Sequence, residues 1–324
     1  MKLTNKKILI TGGSGFIGTN LIIELLKHTK KIINLDIKKP KYLKHSKFWK
    51  NYDINNFKDL KKIINKYSPD FIINLAARTD LNGETFDYYQ TNTSGAENIL
   101  KISMKLKKLK RVVFFSTRLV CQIGYVPKND NDYCPTTIYG ESKVLGEKIL
   151  KRKKYKKFKK WVNTRPTSLW GPWFDEPYKN FFDVIKKRLY MHPSNKKIYK
   201  SFGYVENSVF QITKLMLAPS KSVEKKTFYL CDYDNIELKS FSNKISYHFN
   251  VMKPLKVPFV LLKLTSIFGD FLKLFNIKFP LTSFRLNNLI TNMKHDTVNL
   301  KKITGNLPFS LNKGIYKTIK WMEK

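Results

Sequence analysis

The chain has 324 residues, of which 42% are hydrophobic, and it carries a formal net charge of +38. This length and hydrophobic content are typical of a folded globular protein with a full core, and they exclude an intrinsically disordered chain. The charge comes almost entirely from lysine, since only 7 of the 62 basic residues are arginine. The lysines are spread along the whole chain beside abundant asparagine and isoleucine. They therefore favour the compositional bias of an AT-rich genome over a dedicated site for nucleic acid, an anionic membrane surface or an acidic substrate. Arginine, which is scarce here, is the usual reader of bases and phosphates.

The cysteines and histidines predict neither a disulfide framework nor a metal site. Cys121, Cys134 and Cys231 are odd in number and lack CxxC spacing, and the five histidines form no metal-ligand pair. We therefore expect no metal and a reduced, cytoplasmic setting. The strand that begins close to the N-terminus argues against a signal peptide.

Strand-like and helix-like segments alternate through the first half of the chain. Buried strands are predicted over residues 7–11, 31–36, 48–53, 71–76, 111–116 and 160–165. Helices are predicted over residues 16–27, 59–66, 86–107 and 139–153. Repeated βα units with continuously apolar strands are typical of an α/β fold with a doubly wound parallel sheet of the Rossmann type.

This alternation ends after residue 165, where prolines 166, 172, 177 and 193 lie in loop-like surroundings. We interpret residues 1–165 as a nucleotide-binding Rossmann domain. Residues 166–324 are interpreted mainly as a smaller C-terminal substrate-binding portion, with some segments that return to the Rossmann domain. Such insertions lie at the carboxyl ends of the strands, where ligands of open α/β sheets bind.

The most apolar stretch covers residues 257–275. Lys263, Asp270 and Lys273 interrupt it, so it does not predict a membrane-spanning helix. We interpret it as a core or lid helix. The alternative is a helix that lies in a membrane interface and makes peripheral contact with lipid.

A glycine-rich loop, TGGSGFIG at residues 11–18, joins the first predicted strand to the first predicted helix. Gly12 permits a tight turn, Gly15 lets the backbone approach a pyrophosphate, and Gly18 allows close contact between helix and sheet. The helix N-terminus then offers free N–H groups and a positive dipole end to phosphates.

An acidic residue indicates which dinucleotide this loop binds. Asp36 lies 21 residues after Gly15, at the end of the second predicted strand. A carboxylate there accepts hydrogen bonds from both ribose hydroxyls and repels a 2′-phosphate. We therefore predict NAD as the cofactor. Lys38 and Lys39 favour the alternative, NADP, because either could bind a 2′-phosphate.

A candidate catalytic set follows the fifth predicted strand. Ser116 and Thr117 end that strand, and Tyr139 and Lys143 lie four residues apart on one face of the next helix. A hydroxyl, a phenol and an ammonium group in this order are suited to proton transfer. The lysine charge, with that of an oxidised nicotinamide, would lower the tyrosine pKa toward working pH. We predict that Thr117, Tyr139 and Lys143 are catalytic.

The order and spacing of these motifs resemble the extended short-chain dehydrogenase/reductase family, in its NAD-dependent epimerase/dehydratase group of sugar-nucleotide enzymes. The resemblance covers residues 6–170 well and continues more weakly to YVEN at 204–207. The matching segments are TGGSGFIG at 11–18, Asp36, Asp53-Ile54, NLAA at 74–77, TNT at 91–93, Ser116-Thr117 and YGESK at 139–143.

The resemblance implies a role for each matching residue. Asp53 and Ile54 would meet the adenine, Asn92 would support the long helix, and residues 166–168 would lie beside the nicotinamide. The implied cofactor contacts are Gly12, Gly15, Phe16, Ile17, Gly18, Asp36, Asp53, Ile54, Leu75, Ala76, Ala77, Asn92, Ser116, Tyr139, Lys143, Pro166 and Ser168. The implied substrate contacts are Thr79, Thr117, Arg118, Tyr139 and Trp170. Related enzymes often dimerise through the helices predicted here at 86–107 and 139–153, so a homodimer is expected.

Two departures from the family pattern bear on the reaction. Dehydratases of this group follow the catalytic threonine with an Asp-Glu pair, whereas Arg118 and Leu119 occupy these positions here. The acid and base for 4,6-dehydration are therefore missing. Ser168 stands where many epimerases carry an asparagine for the diphosphate. Arg118 could meet a substrate carboxylate or phosphate, or it could be a solvated or cofactor-facing charge.

Three functions are compatible with these residues. The favoured one is epimerisation of a nucleotide-linked sugar, in which Tyr139 removes a hydroxyl proton, NAD takes a hydride, and the keto sugar turns over and is reduced on its other face. The alternative is a dehydrogenase or reductase, which would catalyse net reduction of a keto sugar or net oxidation of a sugar hydroxyl or another secondary alcohol. A non-catalytic NAD-binding protein is the third, against which the intact Thr117, Tyr139 and Lys143 set argues.

Overall fold

The structure, a computed structural model, describes residues 3–175, 177–194, 196–277, 279 and 281–324. Its strands are β1 (Ile8–Thr11), β2 (Ile32–Leu35), β3 (Trp49–Lys50), β4 (Phe71–Asn74), β5 (Arg111–Phe115), β6 (Trp161–Pro166), β7 (Ser168–Trp170), β8 (Met191–Pro193), β9 (Tyr199–Lys200), β10 (Phe202–Tyr204), β11 (Thr227–Leu230), β12 (Ile236–Glu237) and β13 (Leu255–Val257). Its helices are α1 (Phe16–Leu25), α2 (Phe57–Tyr67), α3 (Ser94–Ser103), α4 (Ile138–Lys151), α5 (Tyr178–Lys186), α6 (Val205–Leu217), α7 (Ser220–Val223), α8 (Leu238–His248), α9 (Phe259–Leu274), α10 (Ser283–Ile290), α11 (Val298–Thr304) and α12 (Leu311–Met322). Short 3₁₀ turns cover Leu43–Phe48, Asp87–Asn92, Arg118–Val120 and Lys153–Tyr155.

Seven of the described strands form one sheet, in the order β11-β6-β5-β4-β1-β2-β3. Every neighbouring pair in this sheet is parallel. From β1 the chain runs outward through β2 and β3 to one edge, and then through β4, β5 and β6 toward the other, which is the doubly wound Rossmann arrangement. The predicted fold class is confirmed, and all six predicted strands belong to this sheet.

Helices cover the sheet on both faces. In β1, Ile8 and Ile10 belong to the core that includes α1 and α6, whereas Leu9 belongs to the core that includes α2, α3 and α4. This division follows from the alternation of side chains along a strand. Because both faces are buried, most residues of these strands are apolar, which is why the sequence predicts them well.

The predicted helix over residues 86–107 is wrong in its extent. The chain forms the 3₁₀ turn Asp87–Asn92, and the backbone of Thr93 is not helical, with φ −113° and ψ −82°. Helix α3 begins only after Thr93 and ends at Ser103. The side chain of Asn92 bonds the backbone N–H and carbonyl of Arg78, at 3.0 and 2.9 Å. This long-range anchor holds the segment outside the helix, and apolar spacing does not reveal it.

Residues beyond 166 contribute to the sheet and to a smaller lobe. Strand β11 extends the sheet beside β6, and α6 packs against α1. The described part of the smaller lobe contains three strand pairs, β7 with β10, β8 with β13 and β9 with β12. An aromatic cluster lies in its core, where the Trp170 ring is 5.1 to 5.7 Å from the rings of Phe182, Tyr204 and Phe241.

Helix α9 occupies the apolar stretch at 257–275, for which the sequence predicts a core or lid helix. A core helix is wrong, whereas a lid helix stays a prediction. Within α9 the buried residues are Leu262, Ser266 and Gly269, and most of the large apolar side chains are exposed. An apolar pattern indicates which residues avoid water, but it does not show whether another part of the chain covers them. Across the ranges that the structure describes, no helix is long and apolar enough to cross a membrane.

Candidate active site

The carboxyl ends of the parallel strands bring the predicted site residues to one edge of the sheet. The glycine loop follows β1, Asp36 follows β2, residues 75–79 follow β4, and Ser116 and Thr117 follow β5. Because parallel strands all end at the same edge, segments that are distant in sequence become neighbours there. This is the edge at which open α/β sheets bind ligands.

Two glycines fix the loop between β1 and α1. Gly12 has a φ of 70°, and a Cβ there would lie 2.5 Å from the backbone nitrogen of Ala76. A Cβ at Gly18 would lie 2.5 Å from the Cα of Gly13, so α1 approaches the loop too closely for any side chain. Gly15 differs, because a Cβ there would meet only the carbonyl oxygen of Gly12, at 3.5 Å. The backbone beside Gly15 is therefore open to a ligand.

Two side chains from β2 and its end hold this loop. The carboxylate of Asp36 accepts hydrogen bonds from the N–H groups of Ser14 and Lys38, both at 2.9 Å. The buried amide of Asn34 accepts the N–H of Gly13 at 2.9 Å and donates to the Ser14 hydroxyl at 3.1 Å. Sequence reasoning missed Asn34. An asparagine inside a strand that is buried on both faces was the available signal, because such a group needs hydrogen-bond partners.

Helix α3 positions the turn that follows β3. Ile54 is buried, and a Cβ at Gly95 of α3 would come within 2.8 Å of its side chain. Asn98, also on α3, donates to the carbonyl of Ile54 at 3.0 Å. The carboxylate of Asp53 is exposed and accepts the N–H of Asn55 at 2.8 Å.

Asn92 ties the loop after β4 to helix α4. In addition to its bonds with the backbone of Arg78, it donates to the Ser142 hydroxyl at 2.9 Å. Residues 75–77 of this loop are half-buried, and Thr79 is exposed. Asn92 thus lies where it can hold the loop against the helix that carries Tyr139 and Lys143.

Helix α4 places Tyr139 and Lys143 one turn apart at its buried N-terminal end. Thr137 caps this helix, since its Oγ1 accepts the N–H of Gly140 at 3.0 Å. A Cβ at Gly140 would lie 2.3 Å from the backbone of the 3₁₀ turn that follows Thr117. The helix therefore packs directly on the end of β5, which brings the three predicted catalytic residues together.

Burial is the largest cause of the pKa shifts of Tyr139 and Lys143. It raises the pKa of Tyr139 to about 12, and a hydrogen bond with Thr117 opposes the shift. It also lowers the pKa of Lys143 to about 8, and the Nζ of Lys143 donates to the carbonyl of Phe115 at 3.0 Å. The predicted lowering of the tyrosine pKa included the charge of an oxidised nicotinamide, so it stays a prediction for the protein with NAD bound. Desolvation of the phenol, which that prediction left out, acts in the opposite direction.

A buried ion pair lies one helical turn beyond Lys143. The Nε and one terminal nitrogen of Arg165 each donate to Glu147, at 2.8 Å, and the hydroxyl of Tyr133 donates to Glu147 at 3.0 Å. The Glu147 charge raises the pKa of Lys143 and so opposes the effect of burial. Sequence reasoning did not single out Glu147, although its spacing of four residues from Lys143 was a signal.

Arg118 is half-buried and belongs to a group of cationic side chains. Burial, and then the charge of Arg118, lower the pKa of Lys200 to about 8. Burial, Arg118 and Arg165 lower the pKa of His295 to about 4, and the His295 ring stacks on Tyr229 with 4.1 Å between ring centroids. No motif marks Lys200 or His295 in the sequence. Only the fold places them beside Arg118.

Residues 166–170 divide between the sheet edge and the core of the smaller lobe. Pro166 ends β6, and the buried Oγ of Ser168 accepts the hydroxyl of Tyr178 at 2.7 Å. Trp170 is only 1% exposed, with its ring in the aromatic cluster. Because neighbouring rings cover it, Trp170 is a core residue in this structure and not a substrate contact.

These observations fit a dinucleotide. The backbone beside Gly15 is open, and no side chain in the described part of the chain caps the first turn of α1, which begins with Phe16 and Ile17. An uncapped helix N-terminus is suited to a pyrophosphate, and an acid at the end of the second strand is suited to ribose hydroxyls. Asp36 meets the second condition, since it lies directly against the glycine loop.

Comparison with known proteins gives a consistent family match. A profile of the NAD-dependent epimerase/dehydratase family matches residues 8–231. The chain is 29% identical over 233 residues to GDP-6-deoxy-D-talose 4-dehydrogenase of Aggregatibacter actinomycetemcomitans. The aligned segment covers 69% of this chain and 74% of that protein. It is 24% identical over 325 residues to N-acetyl-alpha-D-glucosaminyl-diphospho-ditrans,octacis-undecaprenol 4-epimerase of Escherichia coli O157:H7. This alignment covers 98% of this chain and 95% of that protein. Among solved structures, UDP-glucose 4-epimerase of Thermotoga maritima superposes with a TM-score of 0.75 at 17% identity, over 98% of each chain.

Proposed function

The chain belongs to the NAD-dependent epimerase/dehydratase family, with NAD as its cofactor, and we propose that it is an epimerase of a nucleotide-linked sugar. The observation that carries this proposal is the buried group of Thr117, Tyr139 and Lys143 at the same sheet edge as the glycine loop. Epimerisation needs no acid or base beyond this group. Arg118 and Leu119 stand where a dehydratase would need its acid–base pair, which disfavours dehydration.

The proposed cofactor contacts follow the sheet edge. The glycine loop and the first turn of α1 would hold the diphosphate, Asp36 the adenosine ribose, and Asp53 with Ile54 the adenine. Residues 75–77, Asn92, Ser116 and residues 166–168 would lie along the rest of the cofactor. NAD bound there supplies a hydride acceptor that can return the hydride to the opposite face of the sugar.

Tyr139 would move the proton. Its phenol would take the proton of the sugar hydroxyl as that carbon is oxidised, and it would return the proton when the keto group is reduced. A pKa near 12 keeps the phenol protonated at neutral pH. The base role therefore requires a positive charge beside the phenol, which Lys143 would provide. The Thr117 hydroxyl would hold the reacting oxygen against Tyr139.

Arg118 and Lys200 would bind the anionic part of the substrate. Both are cationic and close enough for the charge of one to lower the pKa of the other. Two neighbouring positive charges repel each other, and a phosphate or carboxylate between them would relieve that repulsion. Thr79, in the exposed loop after β4, is the remaining proposed substrate contact.

A second candidate function is net oxidation or reduction at a sugar carbon. The observation that favours it is the Aggregatibacter relative, which is named as a dehydrogenase and is 29% identical to this chain. Product analysis separates the two functions, because epimerisation leaves the amount of NADH unchanged and net oxidation produces NADH in proportion to product.

The test is incubation of the purified protein and NAD with UDP-, GDP-, CDP- and dTDP-sugars, with products identified by NMR and NADH followed by absorbance. An epimer without accumulated NADH is expected for one of these sugars. Tyr139→Phe should reduce turnover by roughly 10²–10⁴ while NAD still binds. Tyr247→Phe, on the exposed face of α8, is the matched control and should be as active as the wild type. Near-normal turnover of Tyr139→Phe, or no hydride transfer with any sugar, would overturn the proposal.

A further inference from the structure

Helix α9 presents an apolar face that no other described part of the chain covers. Its outward residues are between 52% and 78% exposed, and they are Val260, Leu261, Leu264, Ile267, Phe268, Phe271 and Leu274. At 3.6 residues per turn these positions lie within a stripe about 140° wide. The exposed rings of Phe275 and Phe284 lie just beyond the helix and on α10.

The opposite face of α9 is fixed to the protein, so the apolar stripe cannot simply turn inward. Leu262, Ser266 and Gly269 are the buried residues of α9. A Cβ at Gly269 would lie 1.9 Å from the carbonyl oxygen of Leu281, which shows how closely the chain after α9 crosses this helix. Asp270 accepts the N–H of Ser283, at 3.2 Å, and joins α9 to the start of α10.

Exposed lysines lie beside the apolar stripe. Residues 251–294 contain seven basic residues and one acid, Asp270. Lys253 and Lys256, which precede the helix, are exposed, and so is Lys263, which at 3.6 residues per turn lies at the edge of the stripe. A helix with an exposed apolar face and lysines beside it has the features of an element that lies in a membrane interface.

We propose that the outward face of α9 binds the surface of an anionic lipid bilayer. The apolar side chains would enter the boundary between headgroups and acyl chains, by about 5–10 Å. The lysines beside the stripe would contact lipid phosphates. Charge complementarity selects this partner over a second copy of the chain. A symmetric contact would place two strongly basic segments against each other, whereas an anionic surface neutralises them.

The membrane-binding element is connected to the candidate substrate site. The Nζ of Lys200 donates to the carbonyls of Asn288 and Thr291, at the end of α10. Lys200 in turn lies within electrostatic range of Arg118, whose charge lowers the pKa of Lys200. Membrane binding by α9 would therefore hold the substrate side of the protein near the lipid surface, whatever the reaction at that site.

The experiment is flotation of the purified protein with vesicles of phosphatidylcholine alone and of phosphatidylcholine mixed with phosphatidylglycerol. The wild type is expected to float with the mixed vesicles and much less with the neutral ones. The variant L264Q/F268Q/F271Q should bind the mixed vesicles at least about tenfold more weakly, since it removes three large apolar groups from the stripe. The matched control L43Q/V126Q/V298Q removes three exposed apolar side chains from elsewhere on the surface and should bind like the wild type.

A second variant, K253E/K256E/K263E, keeps the apolar stripe and reverses the charge of the lysines beside it, so it should also lose binding to the mixed vesicles. Thermal unfolding establishes that each variant is folded. Absence of wild-type flotation, or undiminished flotation of both folded variants, would overturn the proposal. A wild-type dimer that becomes a monomer in L264Q/F268Q/F271Q, with no vesicle binding by either protein, would also overturn it, because a second copy would then cover the face.

Discussion

At the scale of single residues, the carboxyl group of Asp232 lies at an unusual position. It is buried, and its Oδ1 accepts the backbone N–H of Tyr204, at 3.3 Å, and the side-chain amide of Asn207, at 3.0 Å. Burial raises the pKa of Asp232 to about 7, and the hydrogen bonds only partly offset the shift. The folded protein therefore holds a proton on Asp232 at pH values where the unfolded chain has released it.

Asp232→Asn should stabilise the protein more as the pH rises. Between about pH 4 and pH 7 the native state binds one proton more than the unfolded state, so the free energy of unfolding of the wild type falls through this range. The loss is on the order of 2–4 kcal/mol. The asparagine retains an acceptor oxygen and has no proton to lose.

Urea unfolding at pH 5 and pH 8 checks this expectation. The variant should gain little over the wild type at pH 5 and most at pH 8. Asp87→Asn, at an exposed position far from Asp232 in the chain, is the control and should change stability only slightly at either pH. A difference between Asp232→Asn and wild type that does not vary with pH would contradict the burial argument.

Asp36 provides a prediction about cofactor choice. Asp36→Ser should weaken NAD binding by roughly 10–100-fold, because hydrogen bonds to a charged group contribute about 1.5–3 kcal/mol. It should also improve NADP binding, since the repulsion of the 2′-phosphate disappears while the exposed Lys38 and Lys39 remain. Fluorescence titration with both nucleotides measures the two effects. In Asp36→Ser/Lys38→Ala/Lys39→Ala the gain for NADP should be smaller, because the lysines no longer attract the 2′-phosphate. An unchanged preference for NAD in Asp36→Ser would exclude a ribose contact.

At the scale of elements, two glycines at the junction of the glycine loop and α1 have different roles. Gly18 allows close packing of the backbone, and Gly15 leaves space for a ligand. Gly18→Ala should destabilise the protein and abolish NAD binding, because its Cβ would meet backbone atoms of Gly13 and Gly12 at 2.5 and 2.7 Å. The intrinsic helix propensity of alanine, about 1 kcal/mol better than glycine, does not compensate for such an overlap. Gly15→Ala should leave the thermal unfolding midpoint nearly unchanged, since its Cβ meets one atom at ordinary contact distance. It should nevertheless weaken NAD binding if the diphosphate approaches there.

Calorimetric measurement of stability and NAD affinity for both variants tests these expectations. Wild-type affinity in a folded Gly15→Ala would place the diphosphate elsewhere. Wild-type stability in Gly18→Ala would mean that α1 does not approach the loop as closely as the structure indicates.

The same elements show what a sequence can predict. Local sequence patterns predict the Rossmann fold and much of the candidate site. These patterns are the glycine loop, the six predicted strands and the spacing of Tyr139 and Lys143. Lys200 and His295 could not be identified, because only the packed chain brings them near Arg118. Asn34 was marked only by its place in a buried strand, and the packed chain shows its contact with Gly13. The burial of Trp170 and the exposure of α9 depend likewise on which distant segments cover them.

At the scale of the whole molecule, the basic charge affects association. The chain carries a formal net charge of +38, so two copies repel each other electrostatically. The range of this repulsion decreases as the salt concentration rises. This range, the Debye length, is about 30 Å at 0.01 M salt and about 8 Å at 0.15 M. Any dimer of this protein should therefore be tighter at physiological salt than at low salt.

We expect such a homodimer to form through α3 and α4, which pack side by side. Local ion pairs reduce the positive charge on this surface, because Arg152 and Lys154 both contact Glu97 of α3, at 3.2 and 3.1 Å. Light scattering at micromolar concentration should give a dimeric mass at 0.15 M salt, with roughly tenfold or more weakening of the dimer at 0.01 M. Leu145→Lys, at an exposed apolar position of α4, should give a monomer at both salt concentrations, whereas Leu43→Lys, which adds the same charge outside these helices, should not. A monomeric wild type at 0.15 M salt, or a dimer that is indifferent to Leu145→Lys, would place the association elsewhere or exclude it.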